Sequence, residues 1–312
     1  MVREVRRGIE ARGLQAEALA AGPGDAGSVR RPRRPRPGHP GRRFGLGRHA
    51  STKARSNKTI RDVYLASAKA LFGWLKGERK IAINPCADVR VKVVEAKVLR
   101  DRDFTEAEAS KILAAALAPH GGRLSAEHAA ARRWVPWMCA YSGARVGEIT
   151  QLRHKDALEK GGVPYLRITP EAGTVKTGQF RDVPIHPHLI EMGFLDYVKT
   201  RTGPLFYDPA RGRGGSAANP ISKKVGERLA AWVRKLGIDD VGVDPNHGWR
   251  HSFKTRGRAC GMRESVLDAI QEHAPRTEGG KYGGYTIETK ASELKLFPRY
   301  VVHSSAREAV AA

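Results

Sequence analysis

The sequence predicts an α+β protein, mainly α-helical with one small antiparallel β-sheet. Three observations carry that prediction. Apolar residues recur at helical spacing in several segments, a capping-box pattern opens one of them, and one pair of alternating segments, YLRIT and RDVPI, flanks a glycine-containing turn. At 312 residues the chain is long enough for two domains and a sizeable core.

Residues 1–57 hold fourteen Lys or Arg against four acids, together with many Pro and Gly and almost no large apolar side chains. Such a tract buries too little to offset its chain entropy, so disorder is expected there. Order is expected from about residue 58. In KTIRDVYLASAKALFGWLKGERK, Ile60, Tyr64, Ala68, Leu71 and Leu75 form an apolar face, and Asn84-Pro85 bars continuation. Residues 86–101 read as a linker. Thr105 and Glu108 then form a capping box ahead of an Ala/Leu-rich helix.

The next segment, AARRWVPWMCAYSGA, reads as a buried helix whose Trp134, Trp137 and Met138 belong to the core rather than to a base-stacking surface. ARVGEITQLR continues as a short helix in which Arg145 and Glu148 share a face, so the carboxylate can hold the guanidinium. YLRIT and RDVPI form the hairpin, with Lys176 on the turn that also contains Gly173 and Gly178. Three further helices are expected in ISKKVGERLAAWVRKLGI, WRHSFKTRGRACG and RESVLDAIQEH, and ETKASELKLFPRYVV reads as a short amphipathic helix presenting Leu294 and Phe297. Residues 304–312 read as a disordered tail.

A formal net charge of +24 points to a polyanionic partner, nucleic acid first, because neutralising phosphates releases counterions. Cys86, Cys139 and Cys260 lie far apart without a CxxC pair, which argues against a zinc site or disulfide framework and for a reducing compartment. No apolar run approaches the ~18 residues of a membrane span, so the chain reads as soluble, with no membrane partner.

Six residues in fixed order carry the chemistry: Arg145, Lys176, His247, Arg250, His273 and Tyr282. A tyrosine beside several cationic donors can attack a phosphodiester, since the donors neutralise charge building on the phosphorus oxygens. Planar arginine forks suit those oxygens better than a point charge does. The HxxR pattern of His247/Arg250 is weak alone, because His39/Arg42, His120/Arg123 and His273/Arg276 match it as well. Its distinction is context: an aromatic and a second histidine around the arginine, a helix carrying Arg250 in its first turn, where the amino-terminus favours anions, and a fitting motif 23 residues further on. Tyr285 and, further off, Tyr300 are the alternatives to Tyr282.

In order and spacing, the motifs AYSGARVGEI, VKTGQFRDVPI, HGWRHSF, QEHAPRTEGG and KYGGY resemble those of the tyrosine recombinase (phage integrase) family. The nine residues from His273 to Tyr282 match the family's separation between its second histidine and its nucleophile. One departure is Glu272, where the family commonly has glycine.

The resemblance implies a partial helical core-binding domain over residues 58–95 and a catalytic domain over 96–303. It also implies that Tyr282 attacks, Lys176 protonates the leaving 5′ oxygen from its β-turn, and a 3′-phosphotyrosyl link results, with no cofactor and no metal. The implied role is a site-specific recombinase or integrase of a prophage or mobile element, acting in the bacterial cytoplasm at the nucleoid. It would work on double-stranded DNA as a homotetramer. A type IB topoisomerase and an inactive DNA-binding remnant are the alternatives.

Overall fold

The computed structural model describes residues 55–94, 99–119, 124–211, 216, 219–274 and 282–302. The disorder expected for the two ends falls outside these residues, except at 55–57, where a helix already begins at Asn57. Ser56 is its N-cap and accepts from the Thr59 N–H at 3.2 Å, which satisfies a donor the helix itself leaves unpaired. The chain divides into two compact units, residues 1–97 and 98–312.

In the first unit, Asn57–Thr59 leads through a π-helical stretch, Ile60–Leu65, into helix α1 (Ala66–Gly77). The π-helical stretch changes the phase of the expected apolar face. Leu71 is exposed, and Leu65, Ala68, Phe72 and Leu75 make the half-buried stripe. The Asn84 side chain donates to the Lys69 carbonyl at 3.0 Å and accepts from the Cys86 N–H at 2.9 Å, pinning the turn after α1.

The second unit opens with α2 (Glu106–Leu117), and both halves of its capping box form. Thr105 Oγ1 accepts from the Glu108 N–H at 3.2 Å, and Glu108 accepts from the Thr105 N–H at 2.9 Å. Helix α3 (Ala126–Ser142) buries Trp134, Trp137 and Met138 as core. It ends at Gly143 in the left-handed region (φ 58°), where an added Cβ would lie 2.8 Å from the Phe253 ring. Helix α4 (Val146–Thr150) follows at once.

Strands β1 (Ala157–Lys160), β2 (Val163–Ile168) and β3 (Arg181–Pro184) form an antiparallel sheet in that order, with Leu166 opposite Val183 and Ile168 opposite Arg181. The hairpin expected from sequence is β2–β3, and β1 extends it. Next come the short helices α5 (Pro187–Glu191) and α6 (Phe194–Lys199), and then α7 (Ile221–Lys235), α8 (Gly248–Ala259), α9 (Glu264–Gln271) and α10 (Ile287–Leu294).

Helices α2 and α8 pack on α3, α7 packs on α4, and α9 and α10 pack on β3. The end of α3, the start of β3, the start of α8 and the end of α9 therefore converge. Leu294 and Phe297 are buried within their own unit. Beyond them, the Tyr300 N–H donates to the Tyr141 hydroxyl, which is also hydrogen-bonded to His188 Nδ1 at 2.7 Å.

Candidate active site

Arg145 is the N-cap residue of α4, so its side chain stands at the junction between Gly143 and the first turn of that helix. Its Nη1 donates to Glu148 Oε1 at 2.6 Å, the i,i+3 pairing read from the sequence. The Arg145 backbone N–H donates to the other Glu148 oxygen at 3.0 Å. Glu148 is buried, and Arg181, also buried, donates to it at 2.6 Å. Burial alone would raise the Glu148 pKa, but Arg181 and Arg145 outweigh it and hold the carboxylate below its ordinary range.

Arg250 lies in the first turn of α8 and is only 5% exposed. Its Nη1 donates to the Gly143 carbonyl at 2.9 Å, while Nη2 is buried with no hydrogen-bond partner among the described residues. Burial, and then the charge of Arg145, push its pKa down to about 10. A buried donor left unpaired is costly, and an anionic oxygen is the partner that satisfies it best. Arg145, Arg181 and Arg250 face two carboxylates here, Glu148 and Glu272, which leaves an excess of positive charge to balance.

His247 caps α8 and His273 follows α9. Both are held below the ordinary histidine range, chiefly by partial burial, with Arg250 adding to the effect at each. His273 Nδ1 lies 2.8 Å from Asp268 Oδ1, and Lys254 Nζ donates to the same oxygen at 2.6 Å. A carboxylate only accepts, so Nδ1 carries the proton and Nε2 presents its lone pair.

Lys176 is exposed on the β2–β3 turn and bonds to nothing among the described residues. Its neighbour Thr177 donates to Glu272, which ties the turn to the arginines. Tyr282 is 83% exposed and, among the described residues, makes no hydrogen bond or cation–π contact with the arginines or histidines. The Tyr285 hydroxyl is engaged with Ser265 Oγ at 2.7 Å, and Tyr300 is buried, with its pKa pushed up by that burial. Of the three tyrosines, Tyr282 is the most exposed, and its hydroxyl has no hydrogen-bond partner among the described residues.

No family model and no curated protein matches the chain. Solved structures do. The XerH site-specific recombinase bound to difH substrate aligns in its pre-cleavage complex at 17% identity and a TM-score of 0.51, over 75% of this chain and 64% of XerH. Its post-cleavage complex on a palindromic difH substrate aligns at 18% identity and the same TM-score, over 78% and 66%. The chain has the tyrosine-recombinase fold. An integrase from mycobacterium phage Brujita also aligns, at 18% identity and a TM-score of 0.45, over 85% of this chain and 79% of that one.

In this recombinase fold four of the six candidates act on one another electrostatically: Arg145 on Arg250, both on His247, and Arg250 on His273. The Lys176 turn connects to them through Thr177 and Glu272, and Tyr282 is hydrogen-bonded to none of them among the described residues. Three contributors went unnoticed in the sequence. Arg181 shares a strand face with Val183 and Ile185, so alternation marks it as inward-facing. Asp268 stands five residues before His273, and Lys254 shares its carboxylate, but neither carries a motif. Among the described residues no helix is long and apolar enough to cross a membrane, and no cluster could hold a metal ion.

Proposed function

We propose that this chain is a site-specific DNA recombinase that cleaves and rejoins strands through a 3′-phosphotyrosyl intermediate. The observation that carries the proposal is the buried Nη2 of Arg250, unpaired among the described residues, beside the partly exposed Arg145 and flanked by two histidines that stay neutral near pH 7. This is a seat for a phosphodiester. Arg145 Nε and Nη2, which have no partner among the described residues, and Arg250 Nη2 would grip the non-bridging oxygens and stabilise the charge that builds on them.

Tyr282 Oη attacks phosphorus as the bond from phosphorus to O5′ breaks. The phenolic proton passes to a site base, for which His273 Nε2 is oriented by Asp268, with His247 donating a hydrogen bond to the phosphate. Lys176 supplies the proton to the leaving O5′. The phosphotyrosyl link keeps the energy of the broken bond, so a 5′ hydroxyl can reverse the step without ATP. On this reading Tyr282 reaches the phosphate once the duplex is seated, and residues 58–95 grip the DNA as part of a core-binding domain. The relevant DNA would be the attachment site of a prophage or other mobile element, bound by a homotetramer at the bacterial nucleoid.

A nicked suicide duplex tests the proposal, because the short strand released by cleavage diffuses away and traps the covalent complex. Duplexes with randomised cores replace an unknown target. Wild type and Tyr285→Phe should both form a complex that survives denaturation, and Tyr282→Phe should form none. Trapping by Tyr282→Phe would refute the assignment. Strand exchange between two duplexes, rather than relaxation of one supercoiled circle, separates a recombinase from a type IB topoisomerase.

A further inference from the structure

Glu272 has an unfavourable backbone and a heavily used side chain. It closes α9 in the left-handed region at φ 63° and ψ 47°, where glycine escapes the steric cost that other L residues meet. Its carboxylate is nonetheless largely enclosed, the side chain being 12% exposed. One oxygen accepts from the Thr177 hydroxyl. The other accepts from Arg181 Nη1 at 3.0 Å and Arg145 Nη1 at 3.3 Å.

Those partners define what the carboxylate holds. Thr177 follows Lys176 in the turn, and its Oγ1 also accepts from the Gln179 N–H at 3.2 Å. Arg181 opens β3 at the far end of the same turn. Glu272 thus grips the Lys176 turn at two points, touches Arg145 and is peptide-bonded to His273. Lys176 has no bond of its own among the described residues, so the attachment of its turn is what places it.

We propose that Glu272 is a positioning residue that fixes the Lys176 turn relative to the Arg145–Arg250 site through Thr177 and Arg181. The inference rests on the DNA-cleavage reading of that site. Its consequence is specific: loss of Glu272 should resemble loss of the general acid more than loss of an arginine.

The test uses a duplex that the wild-type protein cuts, made with either oxygen or sulfur at the 5′ bridging position of the cut. A thiolate leaves without being protonated, so sulfur erases any defect in placing Lys176. Glu272→Gly suits the backbone at this position, and Thr177→Val removes the hydroxyl alone. Both should cleave the oxygen substrate about tenfold or more slowly, part of the ~100-fold or greater contribution of a general acid, and should cleave the sulfur substrate within about threefold of wild type. Lys176→Ala sets the full extent of the effect, and Arg145→Ala should stay slow on both substrates. A Glu272→Gly defect that persists with sulfur, or no defect with oxygen, overturns the proposal.

Amide hydrogen exchange gives a readout that needs no DNA. The Gly178 N–H, bonded to the Val175 carbonyl at 3.0 Å, and the Gln179 N–H should exchange faster in Glu272→Gly. Unchanged protection there overturns the proposal. If wild type cuts neither substrate, the DNA-cleavage reading fails, and exchange alone decides whether Glu272 holds the turn.

Discussion

Arg250 shows how much of this site depends on one side chain. Its Nη1 is committed to the Gly143 carbonyl and its Nη2 has no partner among the described residues, so one guanidinium both fastens α8 to the end of α3 and keeps a donor for the site. A lysine donates from one nitrogen, and without the two separated arms of the planar fork it does not reach both partners with the same geometry. Burial that pushes even an arginine down to about 10 would drive a lysine, ordinarily near ~10.4, toward its neutral form. Arg250→Lys should therefore slow formation of the covalent complex by about 100-fold or more, the scale for losing one preorganised donor. Quantifying trapped complex over time checks this. A rate within about threefold of wild type would remove Arg250 from phosphate binding.

At the scale of elements, caps and tautomers make testable demands. Thr105→Ala removes one half of the α2 capping box and should destabilise the second unit by about 1 kcal/mol, measured by denaturant unfolding. His186 caps α5 by accepting from the His188 N–H on Nδ1 at 3.1 Å, so its Nε2 carries the proton donated to the Phe297 carbonyl at 3.1 Å. Both nitrogens are thus engaged in the neutral form. Burial pushes the His186 pKa down to about 4, whereas the unfolded chain takes up that proton near ~6.5.

Between those values the unfolded state binds more protons. Stability must then fall as pH drops from about 6.5 toward 4, by up to about 1.4 kcal/mol per pH unit from this residue. His186→Asn should flatten that slope in urea melts taken across the range. An unchanged slope would mean that His186 does not titrate as its burial requires. Elements with strong local signals were legible in the sequence. The capping box, the α3 core and the β2–β3 hairpin stand where spacing put them. Strand β1 was not legible, because ALEK has no β-branched residue and two exposed charges. Helices α5 and α6, at five and six residues, are too short to show a period.

Across the whole molecule, the candidate site joins residues from position 143 to position 273 that only the fold brings together. The sequence marked the six chemical groups by type and order, and the Arg145–Glu148 pair by spacing. It could not show that Arg181 is buried between Glu148 and Glu272, because a buried ion network depends on which elements converge. Nor could it show that a non-glycine residue at φ 63° reaches from α9 to the hairpin turn. A net charge of +24 favours a polyanionic partner, and the excess of arginines over carboxylates at the site is where the proposed phosphate would be held.

The central claim is that Tyr282 forms the bond to DNA, and locating the adduct tests it most directly. Trapped complex digested with nuclease and trypsin should yield the peptide from Tyr282 to Lys290, YGGYTIETK, carrying a nucleotide, and fragmentation should place the added mass on Tyr282. An adduct on Tyr285, on any other residue, or no adduct on duplexes that the protein binds would contradict it.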